Sequence, residues 1–160
     1  MAIATNDAVR KFGTQTTVSA GGGGTSNVAA TAGTYSASSD AATWTNTDDV
    51  PLAAFVLTMQ YPSGTITTGG VQLVARLLNI DGTTDNPAVT TNWTGAALGS
   101  FVTGTGMSAT TNYALSIGPV ELPTTKSGQE YEFYLVNNCG VQITAGWTLK
   151  VTPCTDGPHA

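Results

Sequence analysis

Few side chains in this chain of 160 residues could do chemistry. The single histidine, His159, lies beside the last residue, where nothing would hold it as a general base for nucleophilic catalysis. The glycine run at residues 21–24 lacks the Lys and Ser/Thr of a phosphate-binding loop. Cys139 and Cys154 match neither a zinc-binding spacing nor a disulfide framework, so we expect two free thiols. We therefore expect no enzymatic activity.

Carboxylates offer two further possibilities. Glu130 and Glu132 lie on one face of a predicted strand, about 7 Å apart, and such a separation suits the carboxylate pair of an inverting glycosidase. The oxygen-rich segment 81–86 could hold Ca²⁺, although it does not fit the helix–loop–helix calcium pattern. A solvated strand face and an Asp-Gly turn explain these residues without a ligand, and a solvated loop explains Asp48 and Asp49. We therefore expect no catalytic residue, no metal and no cofactor.

Aromatic side chains could form a sugar-binding platform, because flat rings stack on sugar rings. Trp147 alternates with Thr148 within a strand and is better explained by core packing, and Trp44 resembles it. Trp93 lies in the polar loop 90–95, where an exposed aromatic often marks an interface with a protein or a ligand. Trp93 is therefore a candidate contact residue.

The charge of the chain restricts its partners. The formal net charge is −5, the sequence pI is near 4.4, and the five Lys and Arg residues are scattered along the chain. Phosphate-backbone binding needs several cations on one face, and an anionic membrane surface needs a basic cluster. No segment approaches the roughly 20 apolar residues that span a bilayer. We expect neither nucleic acid nor a membrane as a partner.

Strands are the elements that must position these residues. Apolar and polar residues alternate with a period of two in residues 52–61, 111–117, 129–136 and 147–152, which indicates half-buried strands. Shorter candidates are residues 35–37, 41–45, 98–103 and 141–144, and turn signals on both sides favour a strand at 71–80. Short strands with Gly-, Asn- and Pro-rich connections predict an all-β fold, an antiparallel β-sandwich. Within that class we favour a jelly roll.

The first 32 residues differ in composition from the rest. The glycines at 21–24 would make a flexible joint. We therefore predict an extended N-terminal arm at residues 1–32 with a Gly-rich hinge and a short strand at 16–20. The sandwich would follow at 33–155 and a C-terminal tail at 156–160. A disordered N-terminal tail is the alternative to an arm.

Several stretches together resemble a known group of proteins. They are residues 5–10 (TNDAVR), 44–52 (WTNTDDVPL), 131–135 (YEFYL), 145–147 (AGW), 151–153 (VTP) and 157–158 (GP). The chain resembles small virion-associated proteins of tailed bacteriophages and, more loosely, the jelly-roll decoration or cement proteins on their heads. The resemblance covers nearly the whole chain, and it brings no catalytic residues with it.

The resemblance implies a capsid decoration or cement protein, made in the host cytoplasm and located in the virion on the outer capsid surface. Its partners would be the major capsid protein and further copies of itself, in a dimer or trimer. The arm would order on a neighbouring subunit, with Arg10, Lys11 and Phe12 as candidate contacts. Two alternatives stay open, because a fold does not determine a function. They are a receptor- or carbohydrate-binding module of a tail fibre, and another virion structural component.

Overall fold

The computed structural model consists of strands and describes residues 8–19, 23–41, 43–60, 66, 69–89, 95–103, 107 and 110–158. The strands are β1 (Ala8–Phe12), β2 (Thr16–Thr17), β3 (Thr34–Tyr35), β4 (Thr43–Thr45), β5 (Leu52–Gln60), β6 (Gly70–Leu78), β7 (Ala96–Val102), β8 (Asn112–Glu121), β9 (Glu130–Asn137) and β10 (Thr148–Pro158). Within these residues, one 3₁₀ turn, Ser38–Asp40, is the only helical element. No helix among the described residues is long and apolar enough to cross a bilayer.

Two antiparallel sheets form the fold. Sheet I has the order β1-β10-β5-β8, with β2 also paired to β10. Sheet II has the order β3-β9-β6-β7, with β4 also paired to β9. Their inner faces share one hydrophobic core, so the predicted all-β antiparallel sandwich is confirmed.

The core follows the two-residue period of the strands. The inward-facing side chains of β5 are at most 1% exposed, namely Ala53, Phe55, Leu57 and Met59. Phe55 of sheet I meets Phe133 of sheet II edge to face, with ring centroids 5.2 Å apart. Burying a side chain of this size contributes roughly 1.5–3 kcal/mol, and the aromatic geometry adds roughly 0.5–1.5 kcal/mol. The alternation in the sequence is therefore the alternation between core and solvent.

The strands pair from the two ends of the chain inward. β1 and β2 pair with β10, and β3 and β4 pair with β9. β5 pairs with β8, and β6 pairs with β7. The chain thus resembles one long antiparallel hairpin whose successive strand pairs alternate between the two sheets. Sheet I is complete only when both ends of the chain are in place, since Ala8 lies opposite Pro158.

Strand β10 extends beyond the sheet that it belongs to. It pairs with β5 only as far as Cys154, which lies opposite Leu52. The residue before Leu52 is Pro51, which has no N–H and cannot extend the ladder. Beyond Cys154, β10 pairs with β1 alone among the described residues. We call residues 8–12 together with 154–158 the terminal ribbon.

Pro153 lies inside β10, although a proline is expected near the end of a strand. Its carbonyl accepts a hydrogen bond of 2.8 Å from the N–H of Gly13, at the break between β1 and β2. Within a strand, the N–H and C=O of one residue point to the same side, so the missing N–H of Pro153 faces this break. No ladder bond is lost there, and β10 therefore continues past the proline.

The N-terminal segment packs on the sandwich, where we expected an extended arm. Strands β1 and β2 form an edge of sheet I, and Val18 and Val28 lie in the core at 1% and 0% exposure. Backbone bonds of 2.9 Å join Val28 and Ile143 in both directions. The described parts of residues 1–32 therefore supply edge strands and core, because their apolar side chains find partners from the other end of the chain. Residues 1–7 and 20–22 lie outside the described part.

The predicted strands agree with the structure except near the ends of the chain. All four alternating segments and residues 71–80 contain strands. Segment 141–144 contributes a single bridge, from Ile143 to Val28, and the predicted tail at 156–160 begins within β10. Strand β1 was not predicted, because Arg10 and Lys11 interrupt any apolar alternation.

Candidate interaction surface

The terminal ribbon is fastened by an ion pair on its surface. Arg10 lies opposite Asp156 in the ladder between β1 and β10. Its Nε donates to Oδ1 of Asp156 at 2.8 Å, and its Nη2 donates to Oδ2 at 3.0 Å. This hydrogen bonding lowers the pKa of Asp156. The bidentate geometry fixes both side chains although each is exposed to solvent.

The structure places three of the predicted contact residues together on this ribbon. Arg10, Lys11 and Phe12 are consecutive exposed residues of β1, at the outer edge of sheet I. Phe12 is 59% exposed, which is unusual among the described large hydrophobic side chains and is exceeded only by Val102 at 80%. The fourth candidate, Trp93, lies outside the described residues. The free edge of β1 thus combines two cations with a solvent-exposed aromatic ring.

Three hollows lie along this edge of sheet I. The first, of about 210 Å³, is lined by Thr14, Thr16, Trp44, Thr45, Asn46, Thr47, Asp48 and Pro153. The second, of about 330 Å³, is lined by Lys11, Phe12, Gly13, Asp48, Val50, Pro153, Cys154 and Thr155. Because these two share Asp48 and Pro153, we treat them as one depression and call it the edge groove. The third, of about 540 Å³, lies between the ion pair Arg10–Asp156 and the residues Pro51, Leu52, Glu121 and Leu122.

Trp44 lines the edge groove from β4, an edge strand of sheet II. Its indole is stacked on the ring of Tyr131 in β9, with centroids 5.6 Å apart and an interplanar angle of 29°. It also contacts Phe133 in a tilted arrangement at 6.4 Å. The sequence therefore indicated core packing correctly, but the indole is only partly buried. Trp44 belongs both to the margin of the core and to the surface.

The loop from residue 46 to 50 is held rigidly beside the groove. The buried amide of Asn46 donates to the carbonyl of Val50 at 2.8 Å and accepts from its N–H at 3.1 Å. Asp49 accepts hydrogen bonds from the hydroxyl of Ser127 at 2.5 Å and from the N–H of Gly128 at 2.7 Å, which lower the pKa of Asp49. These bonds fix the backbone on both sides of Asp48.

Both carboxylates of the oxygen-rich segment 81–86 have hydrogen-bond donors in the protein. Asp81 accepts hydrogen bonds from the N–H groups of Thr83 and Thr84 at 2.9 and 2.7 Å, and these bonds hold the pKa of Asp81 far below its usual value. Asp85 accepts from the N–H of Asn79 at 2.9 Å. Among the described residues, no group of three or more His, Cys, Asp or Glu side chains is placed to hold a metal ion.

Glu130 and Glu132 are engaged in a polar network around sheet II. Glu132 accepts hydrogen bonds from Arg76 at 3.0 Å and from the hydroxyl of Tyr134 at 2.7 Å. Burial and this hydrogen bond raise the pKa of Tyr134 to about 12. Glu130 accepts a hydrogen bond from the side-chain amide of Asn79. Each carboxylate therefore has a partner in the protein, and the network joins β6 to β9.

Of the residues that line the edge groove, the sequence singled out Lys11 and Phe12 as contacts, but it did not identify the rest of the groove. Thr14, Thr16, Asp48 and Pro153 are far apart in the chain and carry no shared motif. The signal available in the sequence was Trp44 followed closely by Asp48, but these residues form a groove with Thr16 only because β2 pairs with β10.

Comparisons with protein-family models, with curated proteins and with solved structures find no match for this chain.

Proposed function

We propose that this chain is a capsid decoration or cement subunit, which binds the outer surface of a bacteriophage head and stabilises the shell by bridging capsomers. The order of the strands supports this proposal. Pairing of β1 and β2 with β10, β3 and β4 with β9, β5 with β8, and β6 with β7 is the pairing of a jelly roll, and we infer that topology. Jelly rolls are common in viral capsid proteins. The sequence resembles small virion-associated proteins of tailed bacteriophages and, more loosely, the jelly-roll cement proteins on their heads.

The terminal ribbon is the observation that carries the proposal. A ribbon of two strands is marginally stable alone, and its outer edge offers unpaired N–H and C=O groups to another chain. A neighbouring subunit could add a strand to β1, with Phe12 as the apolar anchor and Lys11 as a charged contact. Arg10 is already paired with Asp156, so its role would be to hold the ribbon straight.

The outer face of sheet I supports contacts between copies. At the centre of this face the side chains are small and uncharged apart from Lys150, whereas the charged residues Arg10, Glu121 and Asp156 lie toward one end. The small uncharged side chains are Ala54, Val56 and Thr58 on β5, Ala114 and Ser116 on β8, and Thr148 and Thr152 on β10. Interfaces are depleted of charge at their centres, so this face suits a symmetric dimer or trimer.

The action of such a subunit is mechanical. A shell under pressure from packaged DNA opens only when contacts between capsomers break, and a bridging subunit adds contacts that must also break. Each contact can be modest, because repeated attachment on a lattice converts weak binding into avidity.

Reconstruction of the virion that carries this protein tests the proposal. We expect many copies spread over the head, each with β1 against a neighbouring subunit. A few copies at the tip of the tail would instead support the receptor-binding alternative, and an internal position would support another structural component.

Binding to heads that lack the protein tests the contact residues. Phe12→Ala and Lys11→Ala should each reduce occupancy on the particle. Val102→Ala is the matched control, because Val102 is also an exposed hydrophobic residue but lies on β7, an edge of sheet II. Equal loss with Val102→Ala, or no loss with Phe12→Ala, would contradict a docking role for β1.

A further inference from the structure

The edge groove lies at the open side of the sandwich, between an edge strand of each sheet. Strand β2 pairs only with β10 among the described strands, and β4 pairs only with β9. Thr16 reaches the groove from β2, and Trp44 and Thr45 reach it from β4. The groove continues across Asp48 and Pro153 to the second hollow, where Phe12 lies. It thus has an aromatic residue in each of its two parts.

Trp44 provides a preorganised aromatic surface. Its stacking on Tyr131 fixes the plane of the indole from the core side. The part of the ring that is not covered by the core lines the first hollow. A ligand ring that stacks there would not have to order the tryptophan, and the entropic cost of binding is reduced accordingly.

Asp48 is distinguished from the other aspartates by its lack of partners. The described aspartates at 40, 49, 81, 85 and 156 all accept hydrogen bonds within the protein. Asp48 has no hydrogen bond or ion pair with another residue of the described chain. It lines both hollows, on a loop that the bonds of Asn46 and Asp49 hold in place. A carboxylate in a fixed position and without a partner is suited to accept hydrogen bonds from a ligand.

The threonines of the groove also lack partners within the protein. Several threonine hydroxyls in other loops bond to the protein, as those of Thr25, Thr84 and Thr125 do, although that of Thr144 does not. The hydroxyls that line the first hollow have no such bond within the described residues, namely those of Thr14, Thr16, Thr45 and Thr47. A hydroxyl can both donate and accept a hydrogen bond, so these threonines can pair with ligand hydroxyls that act as acceptors or as donors.

We propose that the edge groove binds a saccharide. One sugar ring would stack on Trp44 in the first hollow, with its hydroxyls bonded to Asp48 and to the threonines. The next ring would lie across Pro153 toward Phe12 in the second hollow. Aromatic surface with a few fixed polar groups is the usual composition of a small-molecule site. This proposal does not require a role for the protein on a capsid, but its second hollow includes Phe12, the proposed anchor for a neighbouring subunit, so the two ligands would compete there.

An extended peptide is the competing occupant, and the chemistry favours it less. Peptide capture on a sandwich uses an unpaired strand edge for main-chain hydrogen bonds. The edges of β2 and β4 also offer backbone groups, but the partnerless polar side chains of the groove are hydroxyls, one carboxylate and the ammonium of Lys11. Such a set of side chains matches a polyhydroxylated ligand better than a backbone.

A glycan array probed with the labelled full-length protein tests the proposal, followed by calorimetric titration with the glycan that gives the highest signal. Asp48→Asn and Thr16→Val should bind that glycan about tenfold more weakly, since Asp48→Asn replaces one acceptor oxygen by a donor and Thr16→Val removes a hydroxyl. Thr17→Val is the matched control, because Thr17 is the neighbouring exposed residue of β2 and does not line the groove. Circular dichroism of each variant verifies that the fold is retained.

Three results would overturn the proposal. The first is an array on which no glycan binds above background. The second is a glycan that binds wild type, Asp48→Asn and Thr16→Val with equal affinity, which would place its site elsewhere. The third is a peptide array that gives binding sensitive to Asp48→Asn while the glycan array gives none.

Discussion

Gly24 lies directly against the indole ring of Trp147. Its N–H donates to the carbonyl of Trp147 at 2.5 Å, and a Cβ atom added to Gly24 would lie 2.0 Å from Cε2 of the ring. The indole Nε1 in turn donates to the carbonyl of Ser26 at 3.2 Å. Trp147 therefore holds the segment that follows the glycine run, and the last glycine of that run is required by packing.

Replacing this glycine should destabilise the protein. Gly24→Ala places a methyl group inside the indole ring, so either the tryptophan or the N-terminal segment must move. Overpacking of this kind costs about 1–3 kcal/mol, and each kcal/mol lowers the melting temperature of a domain this size by roughly 2–4 °C. Thermal unfolding followed by near-ultraviolet circular dichroism measures this loss.

Gly118→Ala is the matched control for that measurement. Nothing lies within 4 Å of a Cβ atom at Gly118. We expect its melting temperature to stay close to that of the wild type. Equal melting temperatures for the variants at 24 and 118 would show that Gly24 does not pack against Trp147 in solution.

The interior of the sandwich could be predicted from local sequence, whereas its edge could not. Phe55 and Leu57 alternate with polar or half-exposed neighbours, and this alternation requires no knowledge of the partner strand. Strand β1 has no such pattern, because its formation depends on β10 at the other end of the chain. The run at 21–24 was interpreted as a hinge, since the sequence does not reveal that Gly24 meets a tryptophan.

The candidate interaction surface was predictable only in part, because local sequence does not reveal which distant strands pair. Arg10, Lys11 and Phe12 were named as contacts, and their chemistry did not depend on whether they formed an arm or an edge strand. The edge groove could not be predicted, because Thr16 and Asp48 become neighbours only through the pairing of β2 with β10 and β4 with β9.

Removal of the buried carboxylate of Asp40 should loosen the N-terminal segment. Asp40 is 0% exposed and accepts hydrogen bonds from the N–H of Thr25 at 2.7 Å, from its hydroxyl at 2.5 Å, and from the N–H of Ser26 at 3.1 Å. Asp40→Ala leaves these donors without a partner at a cost of about 1–3 kcal/mol. Chemical denaturation should show this loss of unfolding free energy.

Asp48→Ala is the control, because it removes a carboxylate from an exposed position without a partner. It should leave the free energy of unfolding almost unchanged. A larger effect at 48 than at 40 would contradict a stabilising role for the buried carboxylate of Asp40.

The ion pair of the terminal ribbon should be visible in the titration of Asp156. Its hydrogen bonds with Arg10 lower the folded-state pKa, so the pair stabilises the fold above the unfolded-state pKa of about 3.9 and loses this effect as pH falls through the folded-state value. Carboxyl chemical shifts followed by NMR should give a pKa for Asp156 below that of a free aspartate. Arg10→Gln should return it toward the ordinary value and leave the low pKa of Asp81 unchanged, since the donors to Asp81 are Thr83 and Thr84. An Asp156 titration unaffected by Arg10→Gln would show that the pair does not form.

The reactivity of Cys154 should report whether the ribbon is closed in solution. Cys154 is 1% exposed, and burial raises the pKa of its thiol, so both access and the thiolate fraction are reduced. Phe12 lies directly opposite Cys154 in the ladder, where cross-strand side chains are about 4.5–5.5 Å apart at Cβ. Phe12→Ala should therefore accelerate labelling of Cys154 by a thiol reagent several-fold, as measured by peptide mapping over time. Val102→Ala, on the other sheet, should not.

Labelling of wild-type Cys154 at the rate of an exposed thiol would mean that β1 separates from β10 in the absence of a partner. In that case β1 would act as an arm after all, and strand addition would begin at the edge of β10 that β1 vacates.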